Sequence, residues 1–385
     1  MSRRMIQSLT LLLVCSLLSG CSAGRSIYSN FRSLEDMRLV ETLGFDSDGS
    51  GITLSAAVCN GADAEPAILR HRDFSILAAM ERMQDYADKG QLFFAHTQYI
   101  LLGRAAAENG VGALFDFVER DVHTRLESML FLLEDGDAEA LITDAGGKSG
   151  ITGTLASLEQ EAQFRMSGHA FSLRETAVAL SEYGAALICM LRTAALSDGG
   201  APDAEGQTAV PAGYGVLKGG ALVGTLDNAE AEITSLLLGE TGSLRRGVPG
   251  DADSAVILSL EGVGAELSPT WNADGTPGAV TVRLSLRGAV AELSADLALP
   301  ETARLEAEAE TALTAEVCGV LARMQDLNAD FLQLGRALRC SGGERFAALG
   351  PDWLQALRFD VHVDVTLDRS YDLERPVGME GEAGA

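Results

Sequence analysis

The most chemically specific short run in this sequence is Leu18-Ser19-Gly20-Cys21, a thiol preceded by small residues at the end of an apolar stretch. Bacterial lipoprotein processing acts on this pattern. The thiol becomes a diacylglyceryl thioether and the chain is cut before it, so Cys21 is the expected lipidation site. Arg3 and Arg4, followed by the apolar run from Ile6 to Leu18, make residues 1–20 a signal peptide too short to span a bilayer stably. No later stretch reaches the ~18 apolar residues that a membrane helix needs. The expected molecule is tethered to a membrane without crossing it. At ~0.8 kcal/mol per buried CH₂, several acyl chains on one cysteine make that tether durable.

Other residues invite chemistry and then decline it. Asp46-Ser47-Asp48-Gly49-Ser50-Gly51 has the look of a calcium loop, but the twelfth position, where an EF-hand needs an acid, is Ala57, so a tight turn is expected. Gly147-Lys148-Ser149 resembles the end of a phosphate-binding loop, yet Ile142 stands where the first glycine belongs. Glu306, Glu308 and Glu310, with Arg304 as their basic company, read as a solvated helix face rather than paired catalytic carboxylates. His71, His96, His123, His169 and His362 are scattered, and His96 has no second ligand at metal spacing, so a histidine satisfied within the fold is expected there. There is no G-x-S-x-G elbow, no H-E-x-x-H and no dinucleotide glycine motif after a strand. Cys59, Cys189, Cys318 and Cys340 lack C-x-x-C spacing, which argues against zinc. The first three read as buried apolar residues, with a Cys318–Cys340 disulfide left open. The expectation is no catalytic residue, no cofactor and no metal, and hence a binding or scaffolding role.

Charge narrows the partners. The chain carries −26, and loss of Arg3 and Arg4 with the signal peptide takes it to −28. An acidic surface of that size excludes nucleic-acid phosphates and disfavours adhesion to anionic lipid, so the tether must supply membrane affinity.

These residues are positioned by alternating strand-length and helix-length segments, which predict a mixed α/β (α+β) fold of several domains, expected to be three. Segments 39–45 and 52–59 read as a hairpin and 73–89 as a helix with Ile76, Leu77, Met80, Met83 and Tyr86 on one side. Residues 92–102 read as one buried strand, and 111–120 as a further helix. Strand 127–133 and helix 137–142 lead to a glycine-rich joint near 145–153. A stretch from 197 to 213, rich in Gly, Ala, Asp and Pro, reads as the main linker. Beyond it come a hairpin (214–217 with 222–226), a helix (228–238), two long antiparallel strands (255–267 and 278–293) and a helix from 301 to about 339. A closing strand (359–367) alternates Val361, Val363 and Val365 with polar residues. The scheme is a signal peptide (1–20), an N-terminal region (21–196), the linker (197–213), a C-terminal domain (214–378) and a disordered tail (379–385).

In this order the chain resembles the Ger(x)C family of spore germination lipoproteins. The resemblance is carried by the cysteine box at Cys21, by Arg32-Ser33-Leu34-Glu35-Asp36 leading into Leu43-Gly44-Phe45-Asp46, and by Gly90-Gln91-Leu92-Phe93-Phe94-Ala95-His96 with Leu101-Leu102-Gly103. Most specific is Phe115-Asp116-Phe117-Val118-Glu119-Arg120-Asp121, similar to the family's short helix ending in an Arg-Asp pair. Gly215-Val216-Leu217-Lys218, Leu222-Val223-Gly224-Thr225-Leu226, Leu327-Asn328-Ala329-Asp330-Phe331 and the stretch from Trp353 to Arg369 extend it to the far end. One departure is the run Ser22, Ala23, Gly24, where the family places an aromatic and an acid soon after the lipid cysteine. The resemblance implies a non-catalytic lipoprotein on the extracytoplasmic face of the spore inner membrane, partnered by membrane-embedded A and B germinant receptor subunits. A solute-binding lipoprotein is the alternative from another class, and a wall hydrolase a third.

Overall fold

The computed structural model describes residues 37–59, 66–87, 90–121, 124–145, 150–162, 168–199, 205–240, 242–249, 255–293 and 302–369. Cys21, the segment 1–20, the Gly147-Lys148-Ser149 run, His123 and the tail 379–385 lie outside them.

The first strand, β1 (Met37–Ser47), forms the expected hairpin with β2 (Ile52–Val58), and β3 (Ala67–Asp73) pairs antiparallel beyond it. The chain continues through α1 (Ile76–Asp85), β4 (Gln91–Phe93), β5 (Tyr99–Leu102), α2 (Arg104–Asn109), α3 (Gly112–Arg120) and β6 (Met129–Leu133). Then follow α4 (Ala138–Asp144), α5 (Gly150–Ala162), β7 (Phe171–Ser172), α6 (Leu173–Tyr183), β8 (Ala185–Ala195), β9 (Gln207–Lys218) and β10 (Ala221–Leu226). These strands make a ten-stranded mixed sheet in the order β10-β9-β8-β6-β5-β1-β2-β3, with β4 beside β1 and β7 beside β6. Its centre, β1-β5-β6-β8, is parallel, and antiparallel strands flank it on both sides.

The centre is covered on both faces, which is why its strands are nearly unbroken apolar runs. Alternation sends Tyr99, Leu101, Phe131, Leu133, Leu187 and Cys189 into one core, with α4 and α5. Ile100, Leu102, Leu130, Leu132, Ile188 and Met190 enter the other, with α1, α2 and α3.

A second, four-stranded sheet is built from β11 (Ser243–Pro249), β12 (Ala255–Trp271), β13 (Pro277–Leu293) and β14 (Arg358–Arg369), with β14 parallel to β13 and the other pairs antiparallel. Its helices are α7 (Asn228–Leu237), α8 (Thr302–Asp326), α9 (Leu334–Gly342) and the short α10 (Glu344–Ala347). Along α8, Leu305, Ala309, Leu313, Val317, Leu321 and Met324 form one buried stripe at three- and four-residue spacing. This core runs without a break through α7 and Tyr214 into the α4–α5 face of the large sheet.

Several expectations are corrected. Residues 92–102 are not one strand. β4 pairs with Met37–Leu39 and β5 with Thr42–Phe45, so the five residues 94–98 must fit against the two residues 40–41 of β1, and a 3₁₀ turn at Phe94–His96 absorbs the surplus. The expected helix to 339 stops at Asp326, because Asn328 and Gln333 take left-handed φ values of 48° and 60° and Asp330 starts a new helix, α9. The stretch read as a linker contains the first half of β9. Its Pro211-Ala212-Gly213 punctuation is a bulge opposite Met190 and Leu191, not a turn. On α1, Ile76 and Met83 are buried, but Leu77 and Tyr86 are exposed. Cys318 is exposed, Cys189 is buried, and Cys318 and Cys340 are both free thiols in the structure.

Candidate functional site

The residues that sequence reading weighed for chemistry are mostly engaged in holding the chain. Asp46, at the end of β1, points under α4, where its two oxygens accept the N–H groups of Ala138 (2.8 Å) and Glu139 (2.9 Å). Burial pushes its carboxyl up to about 6, against those donors. Gly103 makes room for it, since a β-carbon there would overlap Oδ1. Asp48 closes the hairpin turn, accepting from Ser50 and Gly51 and from Arg72 at 2.7 Å, and that guanidinium holds its carboxyl well below the usual range. The loop is thus the tight turn expected from sequence, stapled to β3 through Arg72. Arg120 pairs with Asp116 one turn back on α3 at 2.8 Å, while Asp121 caps that helix and accepts from Thr124 Oγ1.

Among the described histidines, His71 lies 3.8 Å from Asp73, His169 3.6 Å from Glu240 and His362 3.2 Å from Asp360. Among the described residues no group of three or more His, Cys, Asp or Glu stands close enough to hold a metal. Cys189 is enclosed by the large sheet, and burial pushes its thiol up to about 12, which leaves it an inert apolar group.

A cleft of about 320 Å³ opens where the two sheets meet. One wall is β7, α6 and β8, the other the turn after α7 and the α8–α9 turn, which contribute Leu238, Glu240, Phe331 and Gln333. Ser172 and Glu175 start α6 with a reciprocal capping box, so the Glu175 carboxylate is occupied by the Ser172 N–H and hydroxyl. Arg174 is paired with Glu127 at 3.2 Å. Beside the cleft, Phe171 packs between His169, which it meets edge to face, and the tilted ring of Tyr214, and Tyr214 Oη lies 2.7 Å from Ser235 Oγ in the shared core. Arg339 of α9 reaches across to the Glu182 carbonyl at 2.8 Å, joining the two halves. The arrangement suits a small amphiphilic solute against an apolar floor. Sequence reading missed this cleft because its walls, from Phe171 to Gln333, lie far apart in the chain. The readable signals were the Ser172–Glu175 capping box and Asp330, which accepts from Leu334 (2.8 Å) and Gly335 (2.7 Å) and so fixes the α8–α9 turn. Burial pushes the Asp330 carboxyl up to about 6 as well.

A second concave surface lies between α1, α3 and β4. Two adjoining hollows of about 450 and 420 Å³ share Leu77, Phe117 and Asp121. Around them Phe74 is 82% exposed, Leu77 58% and Phe93 37%, a density of open large apolar side chains that a solvated face does not need. Met37, the first described residue, lines the same surface. Cys21, the one site residue expected from sequence, is not among the described residues. No helix of the described residues is long and apolar enough to cross a membrane.

Two family models match the chain. The spore germination protein N-terminal domain matches residues 30–193, and the spore germination B3/GerAC-like C-terminal domain matches residues 212–371. Between them they take in most of both sheets. The crystal structure of the GerBC protein is similar to this chain with a TM-score of 0.56 and 15% sequence identity, covering 85% of this chain and 97% of that one. At that identity the likeness speaks for the fold. No curated protein matches the chain.

Proposed function

The chain belongs to the GerAC-like spore germination family, and on that premise we propose that it is the lipid-anchored, non-catalytic subunit of a nutrient germinant receptor. The observation that carries the reading is the pair of family matches, which together span the N-terminal and C-terminal regions of one continuous fold. The commitment of Asp46, Asp48, Glu175 and Asp330 to turns and helix starts supports the non-catalytic part. The anchor is Cys21, supported by Arg3, Arg4, the apolar run to Leu18 and the small residues before the thiol. Acylation there holds the acidic body on the extracytoplasmic face beside membrane-embedded A and B subunits. Tethering raises its effective concentration next to them, so a modest interface suffices for assembly.

Co-purification from spore membranes, wild type beside Cys21→Ala, tests this. The expected result is that two integral membrane proteins accompany the wild type, and that the variant loses membrane attachment and nutrient response. The cleft between the sheets favours a second reading, direct solute binding. A wild-type protein that purifies alone while retaining a small nutrient through washing would put that reading in place of the first.

A further inference from the structure

We propose that the apolar groove between α1 and α3 is the docking site for an amphipathic helix of a partner protein, apolar along one face and flanked by lysine or arginine. Phe74 and Leu77 stay largely open in the whole chain, so the cover that these side chains lack comes from outside it. Leu77 and Phe117 belong to both hollows, which therefore run together as one trough, lined further on by Met80, Leu92 and Phe94. α1 is ten residues long and α3 nine. At 1.5 Å per residue each offers a wall of roughly 14 Å, the length of two to three turns of a helix seated by its apolar face.

Charge selects among the possible occupants. Glu81 lies one turn past Leu77 on the same side of α1, and Asp116 and Asp121 line the hollows. Arg120, the cation among the described lining residues, is taken by Asp116 at 2.8 Å. The rim is therefore acidic, on a body of net charge −26. A second copy would set that rim against itself, and an anionic bilayer would meet it with charge of the same sign, so both are opposed. A helix with basic flanks is the complementary occupant: its apolar face supplies affinity and its flanks fix the register. Placing that helix on a membrane-embedded protein rests on the receptor-subunit reading, under which the tether keeps groove and partner at high effective concentration.

The test is photo-crosslinking in spore membranes of the tagged full chain with p-benzoylphenylalanine in place of Leu77. Peptide mapping is expected to place the adduct on an integral membrane protein, in an apolar helical stretch with Lys or Arg at its ends. Glu81→Lys with Asp116→Lys is expected to lower that adduct on the order of tenfold, because like charges then face each other across the rim. Glu81 is exposed, as is the Asp116–Arg120 pair, and an exposed ion pair contributes little to stability, so the body folds as before. Glu81→Gln with Asp116→Asn is expected to give an intermediate yield, a grading by charge that misfolding does not produce. Adducts on lipid, on a second copy or on a stretch without basic flanks overturn the proposal, as does an adduct that the charge reversal leaves unchanged. Co-purification of the two integral proteins, scored on the same samples, separates the two readings. If they accompany the chain while the probe at Leu77 crosslinks to neither, docking at the groove is excluded and the receptor reading stands; if neither accompanies it, both fail.

Discussion

Glu306 on α8 accepts a hydrogen bond from the backbone N–H of Leu367 on β14 at 2.8 Å, and one turn further Glu310 does the same for Val365 at 3.1 Å. β14 is an edge of the small sheet, and its outward N–H groups are the kind that recruit a foreign strand. Two of the three acids that sequence reading assigned to a solvated face therefore cover a sheet edge. The third, Glu308, pairs with Arg304 at 2.9 Å as an ordinary helix-surface contact.

Replacing Glu306 and Glu310 together by alanine is expected to lower stability by roughly 1–3 kcal/mol, about one hydrogen bond's net worth per site, and to promote self-association through β14. Urea denaturation followed by circular dichroism, with light scattering on the same samples, measures both. An unchanged midpoint and a monodisperse double variant would remove the edge-covering role.

Stability is expected to rise as pH falls from 7.5 towards 5. Asp46 and Asp330 are 8% and 4% exposed, and burial raises both carboxyls from 3.8 to about 6. Each binds its proton more tightly folded than unfolded. Its contribution is therefore complete below the unfolded value and lost as pH rises through about 6, to the extent of ~3 kcal/mol per group at ~1.36 kcal/mol per unit. Relief of acidic self-repulsion acts in the same direction, so the decisive comparison is Asp330→Asn, which keeps a hydrogen-bonding group and cannot ionise. Its melting temperature is expected to vary less between pH 5 and 7.5 than the wild type's; parallel profiles would show that Asp330 does not titrate in that window.

Gly213→Ala is expected to cost roughly 2 kcal/mol or more. Gly213 has φ +105°, and a β-carbon there would overlap the Leu226 carbonyl oxygen and the Asp227 backbone. Gly275 has φ +85° but open space around it, so Gly275→Ala carries the backbone strain alone, about 1 kcal/mol. Equal losses for the two in thermal melts would show that the close approach to Leu226 is relieved at little cost.

Residues whose environment repeats their sequence pattern were legible from the chain alone. The β1–β2 hairpin, the β12–β13 pair and the helix beginning after Asp227 all follow from local periodicity and turn chemistry. Pro211-Ala212-Gly213 was misread because a bulge and a linker use the same residues, and only the partner strand β8 tells them apart. Leu77 was placed with the buried face of α1 because hydrophobicity says that a side chain prefers cover without saying what supplies it. The cleft was illegible for a different reason: its walls come from elements whose pairing depends on the order of strands in the large sheet. The lipidation expected at Cys21 is the reverse case, an expectation carried wholly by local sequence.

Arg246 on β11 is the side chain through which the small sheet is locked to its helices. Its guanidinium donates to Glu232 on α7 at 2.6 Å and to Glu316 on α8 at 3.1 Å, with only 17% of the side chain exposed. Neither acid is fully buried, since Glu232 and Glu316 are 23% and 32% exposed, so the pairing is screened in part. Removing the cation leaves two partly desolvated carboxylates facing each other across a helix pair. Arg246→Ala is therefore expected to destabilise by roughly 2–3 kcal/mol, less than a fully buried triad loses. Adding Glu232→Gln and Glu316→Gln removes the stranded charges and is expected to recover more than half of the loss. The recovery separates electrostatic stranding from lost packing of the arginine stem, which the glutamines cannot replace. Chemical denaturation of the single and triple variants measures it, and a triple variant no more stable than the single one would show that Arg246 acts by packing.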